Sequence, residues 1–163
     1  MILGVVGDTH NRLSNVEKII DIFNKKNVDK VIHTGDITQA KTLSRFSRLS
    51  CPLIGVYGNN DLEEKGLKDI AEQNGFNFQH PPFLLKISNK KIAIFHEPEK
   101  IETFIKKDSS IQLIIHGHTH RYRNENIGNV KIINPGECAG IIKGKNSVGA
   151  LNLEDLSFER IFF

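Results

Sequence analysis

Only two cysteines, Cys51 and Cys138, occur among 163 residues, and neither belongs to a pair at the close spacing of a zinc thiolate site. They lie far apart, beside Pro52 and near Gly140, and read as a reduced pair of a cytoplasmic protein rather than a disulfide. No apolar stretch is long enough to span a bilayer, and Met1 to Gly7 has neither the basic start nor the length of a signal segment, so no membrane partner is expected. There is no repeat at a fixed period, no low-complexity segment and no linker rich in Pro, Gly or Ser, so residues 1–163 read as one domain. A chemistry based on a protein nucleophile has little to draw on: no Ser or Cys sits in a glycine-flanked nucleophile elbow, and no Gly-x-x-x-x-Gly-Lys cradle for phosphate is present. A basic stripe is missing as well. The lysines are scattered, and a net charge of +3 is what an ordinary soluble surface carries, so nucleic acid is a less favoured partner than a small molecule. With 39% hydrophobic and 25% charged residues the chain has the balance of a globular protein with a real core.

What the sequence does contain is an apolar run that ends in metal-type side chains, repeated along the chain. Met1-Ile-Leu-Gly-Val-Val-Gly-Asp-Thr-His-Asn11 opens it: a β-branched run of this kind reads as a buried strand, with Asp8 and His10 just past its carboxyl end. Lys30-Val-Ile-His-Thr-Gly-Asp36, Leu53 to Asp61, Lys91-Ile-Ala-Ile-Phe-His96 and Leu113 to His120 follow the same plan. Open α/β sheets place their ligand sites at such strand ends.

The intervening segments supply the layers. Val16, Ile19, Ile20 and Phe23 recur at helical spacing, so Asn15 to Lys26 is expected as a helix, with Ser14 and Glu17 as its capping box. Thr38 is expected to cap a helix carrying Leu43, Phe46 and Leu49. A short helix with Leu67, Ile70 and Ala71 inward should stop at Asn74-Gly75. This first half reads β-α-β-α-β, hence parallel. In the second half, Phe83 to Ile87 and Lys91 to Phe95 form a hairpin. A helix near Lys100 to Lys107 and a strand Leu113 to Ile115 come next. Tyr122 to Ile127 pairs with Val130 to Ile133, and Val148 to Leu153 with Ser157 to Phe162. A parallel half and a hairpin-rich half together imply two packed mixed sheets with helices outside.

The candidate ligands are Asp8, His10, Asp36, Asn59, His96, His118 and His120. Each alone has a plainer reading: an Asp after Gly at a strand end is commonly a turn or helix-cap residue, and a lone His is commonly a hydrogen-bonded core residue. Turn chemistry does not require His, Asp or Asn after every strand in succession. Neutral nitrogen together with carboxylate oxygen suits Zn, Mn, Fe, Co or Ni better than Mg or Ca. More ligands are present than one tetrahedral site needs, which points to two divalent ions about 3.5–4 Å apart with Asp36 shared between them. Such a pair lowers the pKa of a bound water toward neutrality.

Gly7-Asp8-Thr9-His10, Gly35-Asp36, Gly58-Asn59-Asn60-Asp61, His96 and Gly117-His118-Thr119-His120 resemble the ordered blocks of the calcineurin-like metallophosphoesterase superfamily, and of its small bacterial and archaeal phosphodiesterases in particular. The resemblance implies a four-layer α/β/β/α sandwich of two mixed sheets flanked by helices. It also implies one metal held by Asp8, His10, Asp36 and His120 and another by Asp36, Asn59, His96 and His118, manganese being the first expectation. Homodimers or tetramers are a further expectation from the same likeness.

Several positions depart from the pattern. Asn60 stands where superfamily enzymes active on monoesters commonly have His; an amide cannot protonate a leaving oxygen, so diesters with good leaving groups are expected to be preferred. Glu137 follows Asn134-Pro135-Gly136 where relatives tend to have Ser, and a carboxylate there repels phosphate unless it points away. Asp61 is expected to orient a neighbour, His33 and His116 to lie behind the ligands or in the core, Arg12 to lie near a substrate phosphate or in solvent, and His80 on the surface. The sequence thus supports a dinuclear phosphodiesterase first. A catalytically inactive protein-binding scaffold resembling the retromer subunit of the same fold, and a nuclease, are the alternatives.

Overall fold

The computed structural model describes residues 1–163. Its elements follow in the order β1 (Ile2–Val6), α1 (Leu13–Lys25), β2 (Lys30–His33), α2 (Ala40–Arg45), β3 (Leu53–Val56), α3 (Leu67–Gln73), β4 (Asn77–Gln79), β5 (Phe83–Ile87), β6 (Lys90–Ile94), α4 (Ile101–Lys107), β7 (Leu113–Ile115), β8 (Arg123–Ile127), β9 (Val130–Asn134), β10 (Ser147–Asn152) and β11 (Phe158–Phe162). They build two sheets, ordered β11-β10-β1-β2-β3-β4 and β5-β6-β7-β9-β8. In the first, β1 to β4 run parallel, β10 pairs antiparallel with β1, and β11 pairs antiparallel with β10. In the second, β6, β7 and β9 are parallel, with β5 and β8 antiparallel at the edges.

Alternation along each strand sorts side chains between two faces. On β1, Leu3 and Val5 join Ile32, Val56, Ile92, Ile94, Leu113 and Ile115 in a cluster between the sheets, whereas Val6 packs outward with Val16, Ile19, Ile20 and Phe23 of α1. Ile101, Phe104 and Ile105 of α4 cover Ala93, Ile114 and Ile132 on the outside of the second sheet. The layers are therefore helix, sheet, sheet, helix, as the resemblance implies.

Local signals were less dependable than the apolar pattern. Arg12 occupies the N-cap of α1 and no side chain caps it. The capping box expected of Ser14 and Glu17 does not form; Glu17 instead pairs with Arg45 and Arg48 across the helices. Thr38 caps nothing either. Its hydroxyl donates to Asn11 Oδ1 at 2.6 Å, while α2 begins at Ala40, gives way at Phe46–Arg48 to one turn of 3-10 helix, and has Gln39 at its N-cap. The edge strand β4, which the sequence pattern did not reveal, carries mostly exposed side chains and so lacks an apolar alternation.

Phe23 closes the helix-to-sheet contact. It is fully buried, and a Cβ built on Gly4 would lie only 2.9 Å from its ring, so the bare backbone of β1 is what makes room for the aromatic. Phe23→Ala leaves a cavity that β1 cannot collapse into, and urea unfolding should show a loss of about 3–5 kcal/mol.

Candidate metal centre

The carboxyl ends of β1, β2 and β3 in one sheet and of β6 and β7 in the other all open at the same edge of the sandwich, and the loops after them are stitched together by main-chain bonds. Asp8 N donates to Gly35 O and His10 N to Asp36 O, both at 2.8 Å, and Gly117 N donates to His96 O at 3.1 Å. Within these loops Asp8, His10, Asp36, His118 and His120 have φ between 44° and 67°. A side chain in this left-handed region costs about 1–2 kcal/mol per residue, and such strain collects at functional sites. Close approach adds a second constraint: a Cβ on Gly117 would lie 2.7 Å from Asp8 Oδ2, so that strand end must be glycine for the carboxylate to seat.

The side chains that the sequence singled out converge into two adjoining groups. In one, His10 and His120 stack with ring centroids 5.5 Å apart. Their Nε2 atoms face each other at 3.5 Å, and His120 Nε2 lies 3.8 Å from Asp8 Oδ1. In the other, His96 Nε2 and His118 Nδ1 both face the amide oxygen of Asn59, at 2.8 and 3.1 Å. Asp36 stands between the groups, with Oδ2 4.0 Å from His10 Nε2 and Oδ1 3.4 Å from His96 Nε2. Donor atoms of Asp8, His10 and His120, and of Asp8, Asp36 and His96, lie within 4.8 Å of one another.

The electrostatics of this cluster favour a cation. Asp8 and Asp36 are both buried. Burial lifts Asp8 to about 6, against the opposing charges of His96 and His120. Burial would raise Asp36 too, but hydrogen bonding and charge from His96, with the Asn60 N–H groups, hold it well below the usual carboxylate range. His96 is the counterpart: desolvation pulls it down, and the Asp36 carboxylate outweighs that and raises it. Its Nδ1 meets the Thr34 carbonyl at 2.8 Å and its Nε2 meets an amide oxygen, so both ring nitrogens face acceptors. A proton satisfies that arrangement, and so does a metal ion at Nε2. Acceptor oxygens and imidazole nitrogens pointed at common centres are the donor set of a transition-metal site, and the residues fit such a group.

The surrounding residues fall into clear roles. Asp61 is buried and accepts four main-chain N–H groups: Asp36 and Gly58 on Oδ2, both at 2.8 Å, and Ile37 and Thr38 on Oδ1 at 2.9 and 2.7 Å. It locks the loops carrying Asp36 and Asn59 to each other. Asn60 donates through Nδ2 to Asp36 Oδ2 at 2.7 Å and through its main-chain N–H to Oδ1 at 2.9 Å. His116 is a core residue whose Nε2 is buried without a partner. His80 and Arg12 are exposed. Glu137 is where sequence reasoning stopped short. It is buried and accepts from His120 Nδ1 at 2.6 Å, with its other oxygen taken by the Ile141 main-chain N–H; the Asn134-Pro135-Gly136-Glu137 block was the signal that a turn brings it there. Beside the cluster a depression of about 590 Å³ is lined by Asn59, Asn60, Glu63, Glu64 and Lys65.

His33 is a sensor of acid stability. Its Nδ1 accepts from Gly35 N at 3.1 Å, which requires the neutral ring, and leaves Nε2 to donate to Thr9 Oγ1 at 3.1 Å. Burial pushes it down from 6.5 to about 3. The unfolded chain therefore takes up this proton first: the contribution is complete above pH 6.5 and is lost as pH falls toward 3. Denaturant titrations of His33→Gln should show a stability-against-pH slope between pH 6 and 4 that is shallower than wild type by close to one proton.

The chain matches the calcineurin-like phosphoesterase superfamily domain over residues 1–156. It is 35% identical to a phosphodiesterase of Methanocaldococcus jannaschii across 99% of this chain and 98% of that one. Among solved structures it matches a novel archaeal phosphodiesterase with a TM-score of 0.87 at 35% identity, covering 100% of both chains. It also matches the E. coli phosphoesterase Yfce with a TM-score of 0.73 at 22% identity, covering 99% and 98%. With the family domain spanning nearly its whole length and its blocks gathered at one edge of the sandwich, the chain belongs to the calcineurin-like phosphoesterase superfamily.

Proposed function

We propose that this protein is a dinuclear metal-dependent phosphodiesterase acting on small diesters. The observation that carries the reading is Asp36, whose two oxygens turn toward the two separate groups of nitrogen and oxygen donors. Asp8, His10, Asp36 and His120 would hold one divalent ion, and Asp36, Asn59, His96 and His118 the other. Mn is the first candidate, with Ni, Zn, Fe and Co suited to the same donors. When bound, the ions supply Lewis acidity that brings a water toward ionisation near neutral pH and offsets the charge of the phosphoryl group.

The protein's own residues explain the preference for diesters. A poor leaving oxygen needs a proton as its bond to phosphorus breaks. Asn60 stands beside Asp36, where a titrating group could meet that need, but its amide does not titrate near neutral pH. It can instead donate an N–H to a phosphoryl oxygen. Diesters whose leaving group departs without protonation are then turned over, and alkyl monoesters poorly. Glu63 and Glu64 line the adjoining depression and disfavour a long polyanion there, which supports a small substrate over nucleic acid. The phosphodiesterase names of the relatives at 35% identity point the same way. No helix is long and apolar enough to cross a membrane, in keeping with the cytoplasmic location proposed here.

Assayed with added Mn, Ni, Zn or Mg, bis(p-nitrophenyl) phosphate should be hydrolysed faster than p-nitrophenyl phosphate, and chelation should abolish both activities. Absence of turnover with every metal would leave the scaffold reading in its place. Asn60→His should raise turnover of the monoester by about 10²-fold or more, the lower range of general acid catalysis; no gain on any monoester would count against the role given to this position. Asp61→Asn should weaken Mn binding by about 10–100-fold, measured by calorimetry, because the amide presents N–H groups to main-chain donors.

A further inference from the structure

Glu137 is a buried carboxylate that neither the ligand set nor the proposed hydrolysis uses. Both of its oxygens are committed: Oε2 lies 2.6 Å from His120 Nδ1, and Oε1 accepts the Ile141 main-chain N–H at 2.7 Å. Its own carbonyl accepts from Ser147 N at 2.6 Å, so the residue is fixed at main chain and side chain alike. A carboxylate has no proton to give, so the short contact requires Nδ1–H on His120. That leaves Nε2 of the neutral ring with its lone pair, facing His10 Nε2 and Asp8 Oδ1 at 3.5 and 3.8 Å. A carboxylate behind an imidazole holds the ring in one tautomer and one orientation and makes the far nitrogen more basic. The Ile141 bond keeps the second oxygen from turning toward a phosphate.

We propose that Glu137 is a positioning residue for the metal centre, acting through His120 to present a lone pair to the ion shared with Asp8, His10 and Asp36. This rests on the dinuclear reading given above. Through Ile141 the same carboxylate ties His120 to the 138–146 segment, whose Ile141 and Ile142 side chains are exposed and whose end is fastened by Asn15 Nδ2 donating to Cys138 O at 2.7 Å.

The test is read in metal binding and tautomer rather than in turnover. Calorimetric Mn titration of the metal-stripped protein should resolve two ions for wild type, and Glu137→Ser should weaken one of them by about 10–100-fold while leaving the other unchanged. Glu137→Gln, nearly isosteric, covers the case in which the serine variant does not fold, and should weaken the same ion by a smaller factor. In a His120→Ala background, either substitution should cost nothing further for Mn. A second loss of equal size there would overturn the proposal, since it would mean that Glu137 acts on the fold and not through His120. Imidazole ¹⁵N spectra of the wild-type protein loaded with diamagnetic Zn should show His120 with its proton on Nδ1; a proton on Nε2 would also overturn it. Failure of the dinuclear reading looks different: wild type itself would then take up fewer than two ions. Two ions in wild type with unchanged affinities in both Glu137 variants would sink the positioning role alone.

Discussion

Two buried carboxylates at one edge of the sandwich set the terms for everything around them. Asp8 and Asp36 are brought close by loops that hydrogen-bond to each other, and a buried carboxylate is costly unless it is paired or bound to a cation. The protein gathers imidazoles against them as a partial compensation, with His10 and His96 facing Asp36 and His120 facing Asp8. That compromise leaves histidine nitrogens facing oxygen acceptors or other nitrogens at short range. A site of this kind suits something positively charged with room for several donors, in keeping with the divalent-metal chemistry of the family the chain belongs to.

The fold delivers these groups by a simple device. Parallel strands end at a common edge, and packing two such sheets face to face brings the ends of β1, β2 and β3 against those of β6 and β7. The apolar layer between the sheets, with Leu3, Val5, Ile92, Ile94 and Ile115 at its centre, is what holds these strand ends in register. Asp61 then fastens the loop after β2 to the loop after β3 through four main-chain donors. The strained left-handed residues Asp8, His10, Asp36, His118 and His120 persist because this scaffold over-determines them.

Apolar periodicity made the layers legible from the chain alone, since burial between sheets or beneath helices demands it. Capping was not legible in the same way. Ser14, Glu17 and Thr38 have the right residue types for caps, but other partners were nearby: Arg45 and Arg48 for Glu17, Asn11 for Thr38. A local hydrogen bond of about 1 kcal/mol is easily outbid by tertiary contacts. The strand β4 escaped notice because an edge strand with exposed side chains has no pattern to show.

At the edge of the sandwich, residue type and order along the chain were enough to single out Asp8, His10, Asp36, Asn59, His96, His118 and His120, because metal-type side chains after consecutive strands have few other reasons to recur. What the residues alone could not say was which atoms of this set come within reach of one another, or which way Glu137 points. Those questions turn on distances between residues more than a hundred positions apart, such as His10 and His120, and on whether a loop's main chain offers a donor at the right place. Sequence settles which chemical groups are present and in what order; only the packing of one sheet on the other decides which of them meet, because side-chain contact depends on strand register and loop path, and neither is encoded locally.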